Sequence, residues 1–334
     1  MPITSITRRS LGLAIGATAV LFSTGKITMA QTLTERSQPV PQKVSFESGH
    51  GFVVANLYLP EGHDPSRRYP AIAVGGSLTS VKEMMAGNYA GELARRGIIA
   101  LAIDYRNYGE SSGAMRQFED QASKAEDLSA ALRYLKKRSD IAGTGILGIC
   151  TSGGTALYTA AKDPNVGALA IVAGFFSDPE LVLKMFGGKE GIDSRIAASR
   201  EARKRYDEEG VIQTAFAYMP NEKTAVSSGP NEYYMDQSRG GSVRAWRNEF
   251  AVMAWEPWLA FDPLAQAPHV TAPVVVVHSD GAAFPDQARK MYGLLAGPKE
   301  LHWTEGKHYD FYDQAETVRQ AADRVASHFH NKLG

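Results

Sequence analysis

A mostly parallel α/β sheet with helices on both faces is the fold this sequence predicts, and three observations predict it. Continuous apolar runs, "YPAIAVGG" (69–76), "IIALAID" (98–104), "GILGIC" (145–150), "VGALAIVAG" (166–174) and "APVVVVHSD" (272–280), read as strands buried on both faces. Stretches of helical periodicity alternate with them, as crossovers between parallel strands require. The 334 residues, 44% apolar and 22% charged, suffice for one large domain with an insertion, or for two small domains.

The first thirty residues stand apart. Arg8 and Arg9 precede an apolar run from Leu11 to Phe22, and small residues follow, with a cut expected after Ala30. This is signal-peptide anatomy, with an apolar run too short to span a membrane comfortably. The paired arginines before Ser10 and Leu11, and Lys26 near the cut, resemble a twin-arginine export signal. An ordinary secretory signal or an uncleaved anchor is the alternative. The mature chain is expected to start near Gln31, to work outside the cytoplasm (periplasmic or secreted), and to carry a flexible lead over 31–42. Lys plus Arg equal Asp plus Glu at 36 each, and no basic block occurs, so nothing favours nucleic acid or anionic lipid as a partner.

The core then runs over 43–176 and 263–334. "KVSFES" and "FVVANLYLP" alternate like an antiparallel pair. "VKEMMAGNYAGELARRG" (81–97) and "FEDQASKAEDLSAALRYLKKRSD" (118–140) carry helical periodicity, the first ending on Gly97. Residues 177–262 break the strand–helix rhythm. They hold a charged helix, "KEGIDSRIAASREARKRYDEEG", a polar loop, "YMPNEKTAVSSGPNEYYMD", and "VRAWRNEFAVMAWEPWLAF" with three of the four tryptophans. We read this insertion as a mainly helical cap that overhangs the strand ends and shapes a pocket.

The chemistry centres on "GICTSGG" (148–154), which contains the only cysteine. A strand, then small-x-nucleophile-x-small, then a helix describes a nucleophile elbow, where the middle residue takes a strained backbone and neighbours two positions away must be small. Cys150 fills that place between Gly148 and Ser152, and a helix N-terminus there is expected to lower the thiol pKa. Ser152 is the alternative nucleophile one register later. A single exported thiol forms no internal disulfide.

His308, in "EGKHYDFYD" between a strand "KELHW" and the last helix, is the expected base. His278 sits inside a strand and is expected to be packed; His328 and His330 face apart on a helix. The expected acid is Asp280, ending "PVVVVHSD", with Asp286 as the substitute. The order nucleophile, acid, histidine follows. Oxyanion donors are expected from the N–H of Thr151 and from Ser77 or Leu78 in "GGSLTSVKE". No metal-ligand spacing occurs, so neither metal nor cofactor is expected; the partner is a small-molecule acyl substrate.

With these residues in place, 43–333 resembles the α/β-hydrolase superfamily. "AIDYRNYGESSG", "FDPLAQAPHVTAPVVVVHSD" and "KHYDFYD" support the resemblance, and cysteine at the elbow is similar to the dienelactone hydrolases, whose set is Cys-His-Asp. The resemblance implies an α/β-hydrolase fold and a hydrolase working through an acyl-cysteine. The compact dienelactone hydrolases lack this cap and signal, so their substrate is not transferred, and Gly75-Gly76 replaces the usual His-Gly. A thiolate leaves more readily than an alkoxide, so activated esters, lactones or thioesters are expected over simple alkyl esters. An acyltransferase with the same acyl-enzyme, a serine-type esterase or peptidase through Ser152, and a catalytically silent binding member of the fold are the competing readings.

Overall fold

The computed structural model describes residues 39–241 and 243–334; the expected export signal and most of the expected lead lie outside the described residues. Eight strands form the central sheet: β1 (Gln42–Ser48), β2 (Gly51–Tyr58), β3 (Tyr69–Gly75), β4 (Ile99–Ile103), β5 (Ile141–Ile149), β6 (Ala168–Val172), and, after the inserted segment, β9 (Val274–Gly281) and β10 (Lys299–Lys307). Their order is β1-β2-β4-β3-β5-β6-β9-β10. The β1/β2 and β2/β4 pairs are antiparallel, and every other pair is parallel. The fold is therefore the mostly parallel α/β sheet that the apolar runs predict.

Helices cover both faces because the strand side chains alternate between two cores. Ile72 and Val74 of β3 join one apolar cluster with α1 (Met85–Ala94) and α10 (Ala315–Leu333). Ala71 and Ala73 join the other, with α2 (Gln121–Lys136), α3 (Thr151–Ala160) and α8 (Pro285–Leu294). Asp120 starts α2 where the sequence turns apolar-periodic, its carboxylate accepting from the Ser123 amide at 3.0 Å.

The chain leaves β3 to make β4 on one side, then returns past β3 to make β5 on the other. Connections diverge there, so a crevice opens at the carboxyl ends of β3 and β5. The loop after β3 begins at Gly76 and the residue after β5 is Cys150. Topology alone brings these two segments side by side.

Between β6 and β9 run α4 (Pro179–Met185), α5 (Gly188–Glu209), α6 (Glu232–Met235), α7 (Trp255–Leu259) and a short antiparallel pair, β7 (Thr214–Ala215) with β8 (Phe250–Ala251). The long helix α5 buries only Ser199 and Ala202, and it carries the i,i+4 pairs Arg203–Asp207 and Arg205–Glu209 on its wet face. The aromatic part folds inward instead: Tyr218, Tyr234, Phe250, Trp255 and Trp258 are buried in the same cluster as α1 and α10.

Candidate active site

Cys150 occupies the junction of β5 and α3 with φ 54° and ψ −120°. A residue with a Cβ in that region costs about 1–3 kcal/mol and persists only where its surroundings dictate it. Here they do: the Cys150 N–H donates to the Val172 carbonyl at 3.2 Å, and its own carbonyl accepts from Gly153 and Phe175, both at 2.9 Å. Glycine is required at 148, since a Cβ there would lie 2.3 Å from the Ser152 carbonyl oxygen.

The thiol is 8% exposed and faces three donors: the Tyr312 hydroxyl and the backbone amides of Thr151 and Leu78. Burial pushes it up to about 11, against the pull of those donors. The lowered thiol pKa expected from the helix N-terminus is thereby overturned. Desolvation of the charge exceeds what the amides return, and the resting sulfur is a neutral thiol.

His308 follows β10, its own N–H bonded to the Gly281 carbonyl at 3.0 Å. Its Nδ1 accepts from the Ala283 amide at 3.2 Å, and its Nε2 lies 3.0 Å from the Tyr312 hydroxyl. An Nδ1 that accepts carries no proton, so the neutral ring holds its proton on Nε2 and donates it to the Tyr312 oxygen, a tautomer assigned from the hydrogen-bond network. The Tyr312 O–H is then free for the sulfur. Burial, and secondarily the neighbouring His278, push the imidazole down to about 3. It is uncharged across the physiological range.

Neither expected carboxylate reaches that imidazole. The Asp280 side chain is 74% exposed and pairs with Arg289, whose guanidinium lies over the Trp303 ring at 4.0 Å. The Asp286 side chain is 98% exposed and lies 3.2 Å from the same Arg289. The physical reason is local. Burial of β9 ends at Ser279, so Asp280 emerges where α8 offers a cation and water, and no buried position asks it to give these up. The backbone N–H of Ala283 faces Nδ1 instead.

Ser152 also lies away from the chemistry. Its hydroxyl donates to the Gly76 carbonyl, bonds the Tyr105 hydroxyl at 2.7 Å and is buried beneath the strand ends. Of the two backbone donors expected from the loop, it is the Leu78 amide that bonds the sulfur; the Ser77 hydroxyl bonds the Tyr234 hydroxyl. A buried ion pair braces this loop from below. The Lys82 amide and ammonium both donate to Asp104, at 2.7 and 2.9 Å, and the ammonium also reaches Glu110 at 2.7 Å. His278 is fully buried, as its strand position implies.

Sequence reasoning missed Tyr312. Its signal was available only in part: it stands four residues after His308, inside the short helix α9 (Asp310–Asp313) that follows the histidine, and the turn into that helix puts a phenol against an imidazole.

These groups open into a cavity of about 250 Å³. Phe175, Phe186, Trp258 and Phe284 form its apolar wall, and among the described residues no Asp, Glu, Lys or Arg lines it. Among the described residues, no cluster of three or more His, Cys, Asp or Glu is placed to hold a metal ion. No described helix is long and apolar enough to cross a membrane. The arrangement can stabilise a developing oxyanion on two amides and pass protons through a phenol that an imidazole polarises.

Known proteins share this framework. The chain is 28% identical over 307 residues to the uncharacterized protein PA2218 of Pseudomonas aeruginosa, covering 87% of this chain and 81% of that one. The crystal structure of PA2218 matches with a TM-score of 0.78 at 26% identity, over 89% of this chain and 95% of that one. The acyltransferase drtE of Aspergillus calidoustus is 26% identical over 288 residues, 80% of this chain and 88% of its own. A thiohydrolase of Eupenicillium brefeldianum is 23% identical over 289 residues, 82% and 89% of the two chains. The model of the alpha/beta hydrolase family matches residues 74–321, a span that holds Cys150, the loop after β3 and His308 together, and the chain belongs to that family of enzymes.

Proposed function

We propose that this enzyme cleaves an activated carboxylic ester, lactone or thioester of a small, uncharged acyl group through an acyl-cysteine at Cys150. The observation that carries the reading is the strained Cys150 whose sulfur meets the amides of Leu78 and Thr151 and the hydroxyl of Tyr312. The cavity volume lies just below the usual range for drug-sized ligands, and its uncharged apolar wall suits an acyl group without a carboxylate. Relatives named as a thiohydrolase and an acyltransferase support acyl chemistry in this family.

In the proposed cycle the Tyr312 hydroxyl is a relay: as the sulfur attacks the acyl carbon, the thiol proton moves onto the phenol oxygen while the phenol proton moves in the same step onto the leaving oxygen or sulfur. The new S–C bond leaves an oxyanion on the Leu78 and Thr151 amides. The leaving oxygen or sulfur, protonated through that relay, departs as an alcohol or thiol when the oxyanion collapses to the thioester. The His308 Nε2–H holds the phenol oxygen throughout and stabilises it while protons exchange. Water then attacks the thioester, its proton moving onto the phenol oxygen while the phenol proton moves in the same step to the departing sulfur, and the acid leaves. Without a carboxylate on Nδ1, His308 is a donor rather than a base, so departure of the leaving group governs the rate.

Activated substrates are favoured for that reason. The value of kcat/KM for p-nitrophenyl acetate is expected to exceed that for ethyl acetate, and equal values would refute the assignment. Cys150→Ala abolishes turnover, and peptide mass spectrometry of the stopped reaction finds the acetyl group on Cys150. A second reading, transfer of the acyl group to an alcohol or amine, is favoured by the name of drtE and by the aromatic wall that keeps water scarce. Product analysis with added acceptors separates the two. The paired arginines support export to a compartment outside the cytoplasm, and Arg8→Lys with Arg9→Lys is expected to keep the precursor inside.

A further inference from the structure

Three cap side chains reach three consecutive residues of the loop that carries the oxyanion amide. The Tyr234 hydroxyl bonds the Ser77 hydroxyl. The Tyr218 hydroxyl donates to the Leu78 carbonyl at 3.0 Å, and the Trp246 Nε1–H donates to the Thr79 hydroxyl at 3.3 Å. The three rings pack as one unit: Tyr218 and Tyr234 stack at 3.7 Å with 12° between planes, and Trp246 lies 5.2 Å from Tyr234. Asn248 fastens the unit to the cap, bonding both the amide and the carbonyl of Tyr218, at 2.8 and 2.6 Å.

The loop needs such support. It has no regular secondary structure between β3 and α1, and Thr79 sits at φ 56°, a conformation that a β-branched residue adopts only under constraint. The other restraints near the critical amide are local: Ser80 of the same loop bonds the Ser77 carbonyl through its N–H at 3.2 Å and its hydroxyl at 2.9 Å, and the Ser77 hydroxyl donates to the Met85 sulfur of α1 at 3.7 Å. That carbonyl shares a peptide plane with the Leu78 N–H, so the Ser77 and Leu78 contacts from the cap flank the plane that aims at Cys150. A buried tyrosine hydroxyl usually finds a partner. These two find theirs on the loop.

We infer that Tyr218, Tyr234 and Trp246 are positioning residues that aim the Leu78 amide at Cys150, so the oxyanion hole is complete only while the cap lies over the strand ends. A cap that lifts to admit substrate takes the three bonds with it, and one that closes over the acyl group restores them. Substrate capture and assembly of the hole are then a single event. The kinetic part rests on the acyl-cysteine reading; the structural part does not.

The test uses the full chain with Tyr218→Phe and Tyr234→Phe together, which keeps both rings stacked and removes only the hydroxyls. Hydrogen–deuterium exchange is read at the peptide containing Leu78. Exchange there is expected to accelerate about tenfold or more, while peptides of β3 and α3 keep their wild-type rates. On p-nitrophenyl acetate, kcat is expected to fall about tenfold, less than the loss of a whole donor, with KM within about twofold. Unchanged exchange at Leu78 overturns the inference, as does a raised KM with kcat intact, which would make the tyrosines mere pocket wall. Should the double variant not fold, Trp246→Phe alone is read in the same way. A wild-type chain silent on the ester refutes the acyl-cysteine reading and leaves the exchange result to decide this one.

Discussion

Removing one oxygen from Tyr312 separates the two duties the structure gives it. Tyr312→Phe takes away the only side-chain hydroxyl among the described residues that meets both the Cys150 sulfur and the His308 Nε2. With the thiol pushed up to about 11, the thiolate fraction at pH 7.5 is about 3 × 10⁻⁴ in the wild type. A hydrogen bond to a charged group is worth about 1.5–3 kcal/mol, so losing this one raises the thiol by one to two units further. Alkylation by iodoacetamide, read by intact mass at fixed pH, should slow about 10- to 100-fold in the variant. The wild-type rate should climb steadily between pH 7 and 10 without levelling. Turnover should suffer more than alkylation, because proton transfer to the leaving group is lost as well, a further factor of about 10² or greater. A wild-type rate that levels below pH 9 would show a low-pKa thiol and refute the burial argument. Equal labelling of variant and wild type would refute the contact.

Three other outcomes follow from the same geometry. Asp280→Asn should leave kcat/KM for p-nitrophenyl acetate within about twofold, since the carboxylate faces Arg289 and solvent; a fall of several hundredfold would restore it as the acid of a triad. Stability should drop on acidification: the folded state holds His308 neutral down to about 3, whereas the unfolded chain takes up that proton below its ordinary value of 6.5. The unfolded state binds more protons between those values, so urea midpoints fall as pH falls through that window, by at most about 1.4 kcal/mol per unit from this residue, and His308→Gln flattens the slope. Gly148→Ala drives a methyl group against the Ser152 carbonyl, so a lower Tm, by about 1–3 kcal/mol of stability, should accompany slow acylation of Cys150.

The sheet was legible because strands buried on both faces must be continuously apolar, and 69–76, 98–104 and 272–280 could be little else. The elbow was legible because its backbone demands small neighbours, which Gly148 and Ser152 supply. What failed was direction. Chain order puts Asp280 at the end of the right strand, but order says nothing about which way a side chain turns once burial ends and Arg289 waits nine residues on. Burial itself was equally hidden, so a helix N-terminus suggested an acidic thiol where desolvation made a weak one. Tyr218 and Tyr234 fell in a stretch read as a polar loop and Tyr312 in the segment quoted for His308, since a phenol's hydroxyl matters only through the partner that tertiary structure gives it. The consequence for chemistry is specific. A carboxylate on Nδ1 would leave the Nε2 lone pair free to take the thiol proton; the Ala283 N–H fixes the opposite tautomer and makes His308 a donor. A site built so must route the proton through another group, and the phenol between sulfur and imidazole is the group in reach.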